Sequence, residues 1–225
     1  MSEPIQSARI NSAWQLVLLG AMAGGLGWGI RGQYGHETGA MIAGLLLSAV
    51  LVVRLFPEMP MHLAVRAVAM ATVAIGIGGS MTYGQTVGLT HDLELVGHWG
   101  ALLWGMLGLA IKGGIWIGFF GLFLGVGLGG VRYRTTEMIG LFAGFAGLYF
   151  LGVWVFNQPF DPVARVLPKL YFSDDWRWEP GATLKPRREC WGGLFSALMG
   201  GWVYMGWVKR DILARRLAFW GFWAG

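Results

Sequence analysis

The sequence is short of charge. Asp, Glu, Lys and Arg supply 13% of its 225 residues, about half the ~25% of an ordinary soluble domain, so a chain folded around one core and solvated on all sides is excluded. Cysteine is nearly absent: Cys190 stands alone, which excludes an intrachain disulfide and a cysteine-built metal centre. No proline occurs between Pro60 and Pro159, so any helix interruption there has to come from glycine. Period-two alternation is missing as well. Runs such as "LAVRAVAMATVAIGIGG" exclude the short alternating strands of a membrane barrel.

What is present is long uncharged sequence. Seven windows lack Asp, Glu, Lys and Arg: Ile10–Ile30, Thr38–Val53, Ala67–Thr90, Leu95–Ile111, Gly113–Val131, Met138–Phe160 and Cys190–Val208. Each approaches the ~20 residues a helix needs to cross a ~30 Å hydrocarbon core, and helices satisfy their backbone groups internally, as lipid requires. The expected fold is all-α, a polytopic transmembrane bundle of seven helices. The chain divides into residues 1–156 (a short N-terminal arm and six helices), a cap loop at 157–190, and a last helix with a basic segment at 191–225. The cap carries five of the eight prolines and 11 charged residues. After "KRDILARR" the chain begins a further apolar run, "LAFWGFWAG", expected either to lie in the interface or to belong to a longer protein.

The net charge of +5 suits anionic lipid headgroups, and no nucleic-acid partner is expected. Basic residues divide almost evenly between the two sides of a seven-span topology. Only the dense cluster at 209–216 points to a cytoplasmic side. The expected partners are the bilayer, a second copy or a membrane-complex subunit, and a small polar or anionic solute; no cofactor is expected.

Thirty-eight glycines set small residues four apart at Gly20/Gly24, Gly25/Gly29, Gly35/Gly39, Gly84/Gly88, Gly121/Gly125, Gly125/Gly129, Gly140/Gly144 and Ser196/Gly200. Such spacing lets helix backbones approach closely in lipid. Internal repeats are also suggested. "LGWGIRG" (26–32) matches "LGLAIKG" (107–113), with Arg31 answered by Lys112, and a second pairing aligns glycines and Tyr34 with Tyr83 at an offset of 49 residues. Repeats of this kind are common in transporters, whose sites lie where the repeats meet.

Three groups of residues carry candidate chemistry. Arg31, His36 and Glu37 fall within a glycine-rich stretch between the first two windows, and with Lys112 they form either a headgroup-facing loop or a polar site at interrupted helices. An ionisable residue inside the membrane is a functional candidate by default. In "GGSMTYGQT" (78–86), Ser80, Thr82, Tyr83, Gln85 and Thr86 either offer hydrogen bonds to a polar solute or form an exposed loop. His91, Glu94 and His98 would share one face of a helix as metal ligands, or Thr90 would cap that helix. "GxGxxG" at 27–32 follows an apolar helix rather than a strand, which excludes dinucleotide binding. The leading functional expectation is a small-solute transporter; a non-catalytic membrane subunit comes second and a membrane-embedded enzyme third.

Overall fold

A computed structural model describes residues 3–78, 84–91, 96–156 and 190–225. Among them every regular element is helical: α1 Glu3–Tyr34, α2 His36–Leu55, α3 Met61–Gly78, α4 Gly84–His91, α5 Trp99–Leu128, α6 Thr135–Phe156, α7 Trp191–Val203 and α8 Ile212–Ala224. A π-helical turn, Tyr204–Val208, continues α7. Five helices, α1, α2, α3, α5 and α6, are long and apolar enough to cross a membrane. The cap loop lies outside the described residues.

The helix boundaries follow local chemistry. Gly35 alone joins α1 to α2 at φ 81, a left-handed conformation that glycine adopts without steric cost. At the start of α5, His98 Nδ1 accepts from Ala101 N at 2.9 Å, and Gly129 ends the helix in the left-handed region. Glu137 reaches back to accept from Arg134 N at 2.8 Å at the start of α6, the return half of a capping box. Asp211 Oδ1 accepts from Ala214 N at 2.9 Å and so caps α8.

The most consequential difference from the sequence reading concerns α5. Two of the seven windows, divided by Lys112, form one continuous helix of 30 residues, about 45 Å long at 1.5 Å per residue. Lys112 does not interrupt it because a lysine has good helix propensity, and Gly113 and Gly114, which follow it, are packed against Gly225 and Phe222 of the C-terminal segment. The adjoining window, Ala67–Thr90, instead supplies two helices, α3 and α4.

α5 is apolar on every side, the pattern of a helix buried by its neighbours. α3 runs antiparallel along its C-terminal half: a Cβ on Gly127 would run into Ala67, and one on Gly78 into Trp116. α4 packs on the N-terminal half, where Gly105 faces the Thr86 carbonyl, Leu89 and Thr90. α8 lies antiparallel on another side. There Gly125 meets Ala214, Gly121 meets Leu217 and Gly113 meets Gly225. The C-terminal apolar run is therefore packed along α5, although Trp220 and Trp223 stay exposed. Phe142 and Phe145 of α6 join Phe119 and Phe123 of α5 in an aromatic cluster. By contrast, a side chain added at Gly24, Gly25, Gly29, Gly140 or Gly144 would meet nothing within 4 Å.

Candidate functional site

The polar residues gather at two levels of α5, one near its middle and one beyond its C-terminal end. At the middle, Lys112 is fully buried. Its Nζ donates to Thr86 Oγ1 of α4 at 2.9 Å. One turn further on, Trp116 projects from the same face of α5, and its Nε1 donates to the Ile75 carbonyl of α3 at 2.6 Å. Ile75 lies in the last turn of α3 as described, Met61–Gly78. The Arg31 guanidinium of α1 then lies over the Trp116 ring, 5.6 Å from its centroid, within cation–π range.

These contacts bring Arg31 and Lys112 to opposite ends of one helical turn, with the C-terminal end of α3 beside them. That end carries the negative pole of the helix dipole, which favours cations. Tight backbone approach fixes Arg31 in turn, because a Cβ on Gly39 would lie 2.6 Å from the Arg31 Cα. The two basic residues do not occupy equivalent helix positions, however. Arg31 is in the last turn of α1, whereas Lys112 is at the centre of α5.

The other expected residues are spread more widely. His36 opens α2 and Gln85 lies in α4, and their side chains lie outside the described set, as does Tyr83 altogether. Glu37 is exposed in the first turn of α2, where a carboxylate complements the positive end of the dipole. The helical face expected to align His91, Glu94 and His98 runs through residues outside the described set. α4 ends at His91, Gly97 turns the chain at φ 85, and α5 begins at Trp99. Glu94 lies outside the described residues, and His98 uses Nδ1 as the α5 cap. Thr90 does not cap that helix; its hydroxyl donates to the Val87 carbonyl at 2.6 Å.

The second locus was not anticipated from the sequence. Asp211 is 1% exposed, and its Oδ2 accepts from the Tyr133 hydroxyl at 2.8 Å. The same hydroxyl is 2.9 Å from Met205 Sδ. Burial first, and then the bond to Asp211, push the Tyr133 phenol above its ordinary pKa. Lys209 Nζ lies 3.0 Å from Glu137 Oε2, donates to the Arg132 carbonyl at 3.2 Å and sits 4.9 Å from the Tyr133 ring centroid. The signal for Trp116 was available as its i, i+4 spacing from Lys112. Nothing local marked Asp211 or Tyr133, which are brought together from positions 78 residues apart.

No protein-family model, curated protein or solved structure matches this chain.

Proposed function

We propose that the protein is a small-solute transporter whose site is the Lys112 locus at the middle of α5, and that it takes an anionic or zwitterionic solute. The observation that carries this reading is a fully buried lysine at the centre of a 30-residue apolar helix, held by a hydroxyl from one neighbouring helix and flanked by the end of another. Burying a charge at that depth costs at least a few kcal/mol, and α5 itself does not need it, since a methionine would fill the same space. Transporter sites recur where several helices converge on a polar group near the midplane, and α3 and α4 both pack on α5 beside Lys112. Solute binding would exchange the contacts of Lys112 and Arg31 for those of the substrate. The helix ends around them then provide the parts that move. In this reading the basic segment 209–216 is cytoplasmic.

The test is uptake of labelled small anions and zwitterions into proteoliposomes. Lys112→Met, which keeps side-chain length, should lower uptake at least about tenfold, as expected for loss of a charge-assisted contact. Retained uptake by folded Lys112→Met protein would overturn the reading.

A second reading, a subunit that packs through glycine faces, is favoured by one observation. A Cβ added at Gly24, Gly25 or Gly29 of α1, or at Gly140 or Gly144 of α6, would meet nothing within 4 Å among the described residues. If that is their role, leucine at Gly144 shifts the oligomeric state in detergent and leaves uptake by the remaining monomer unchanged.

A further inference from the structure

A groove of about 300 Å³ runs between α7 and α8, away from the Lys112 locus. Phe195, Met199 and Trp202 line it from α7, and Ala218, Phe222 and Trp223 from α8. Its walls are almost wholly apolar, and the indole N–H of Trp202, one of the lining residues, is buried with no acceptor among the described residues. A buried tryptophan ordinarily finds an acceptor for this group, so something that fills the groove should supply one.

The end of the groove nearest the start of α8 is basic. Arg215 shares a face of α8 with Ala218 and Phe222 at i, i+3 and i+7. It crosses to the π turn, where its Cδ would lie 2.9 Å from a Cβ on Gly206. Gly206 in turn is one turn beyond Trp202. Arg215 therefore stands beyond the Trp202 end of the groove, and the apolar slot runs on from Trp202 between α7 and α8. Arg210 and Arg216 add exposed positive charge at the same end. The carboxylates of this end, Asp211 and Glu137, are engaged by Tyr133 and Lys209.

We propose that this groove seats an anionic phospholipid. Its phosphate pairs with Arg215, an ester carbonyl accepts from Trp202, and one acyl chain occupies the slot between α7 and α8. The sequence of groups matches the order of a phospholipid from headgroup to tail, and basic pockets at the membrane surface select anionic headgroups.

The proposal is tested by lipid retention in native mass spectrometry, with the detergent-purified full chain and two probes, dimyristoyl phosphatidylglycerol and dimyristoyl phosphatidylcholine. Wild-type protein should retain the anionic lipid preferentially. Arg215→Gln should weaken that preference about five-fold, the effect of one basic residue near an anionic surface, while Arg54→Gln on α2 should leave it intact. Trp202→Phe should weaken retention of both lipids, and Met199→Trp, which fills the slot from an exposed position, should do so without touching the charge. Far-UV circular dichroism checks that each variant is folded, and Arg215→Met, which also removes the charge, serves if the glutamine variant is not. Equal retention of the two lipids by wild-type protein would overturn the proposal. So would unchanged retention in Arg215→Gln or Met199→Trp, an equal loss in Arg54→Gln, or a dimer that dissociates when Trp202 is altered, since a second copy would then be the occupant.

Discussion

Lys112 and Lys209 carry the same charge in opposite circumstances. Lys209 lies at the end of the bundle, where a carboxylate, a backbone carbonyl and an aromatic face are arranged around it. Those contacts tie the start of α6 to the segment before α8, and together with Asp211 and Tyr133 they account for the cluster as structural. Lys112 lies in the middle of α5, on a helix that would be continuous without it. The difference indicates how to sort charges in a hydrophobic chain. A charge at a helix end is explained by capping and connection, whereas a charge at a helix centre calls for a functional explanation.

Substitutions can break or sharpen this contrast. The largest effect is expected at Gly125, where α8 is held to α5. Leucine there would push Ala214 away, and overpacking of this kind costs about 1–3 kcal/mol or more. Gly125→Leu should therefore lower the thermal midpoint sharply, while Gly144→Leu, facing open space, should leave the isolated chain unchanged. Equal midpoints for the two would show that the α5–α8 approach does not limit stability.

Asp211→Ala comes next. It removes the α8 cap and leaves the Tyr133 hydroxyl without its carboxylate, a combined loss of about 2 kcal/mol. Lys112→Met should behave in the opposite way, with stability kept or slightly raised because a buried charge is replaced by an apolar side chain of similar volume. If denaturation shows Lys112→Met to be the more destabilising of the two, the contrast between structural and functional charge fails.

The smallest effect concerns Tyr133. Its folded pKa is raised above the ordinary 10.0, so its contribution is fully present below that value. As pH rises above it, the unfolded chain ionises while the folded phenol does not, and stability is lost. Tyr133→Phe should cost about 1 kcal/mol near neutrality and flatten the alkaline decline seen in melting curves above pH ~10. An unchanged alkaline limb would mean that other groups govern it.

Much of the architecture was legible in the sequence because hydropathy records which segments avoid water. The helical class and most helix positions followed from the uncharged windows. The division of the helices did not, since a window boundary at Lys112 marks a charge and says nothing about whether the helix stops there. The capping role of His98 was hidden for a related reason: spacing alone suggested a ligand, and only the turn at Gly97 shows where the helix begins. Arg31 and Lys112 could be singled out as unusual, but their meeting through Trp116 depends on how α3 and α4 pack on α5 and on how α2, packed on α3, carries α1. Asp211 and Tyr133, each unremarkable in its own segment, become a pair only once α8 has folded back along α5.

Thiol accessibility addresses the role of the centre of α5 most directly. With Cys190→Ser as background the chain has no other cysteine, and Thr86→Cys places one thiol beside Lys112 while the lysine stays in place. In intact membranes, a transport site at this level predicts that water-soluble methanethiosulfonate reagents reach the thiol, the anionic sulfonatoethyl form faster than the cationic trimethylammonium form. Transported anions should slow the labelling. A thiol that reacts only after denaturation, whichever reagent is used, would mean that no aqueous path opens to Lys112 and would contradict the transport reading.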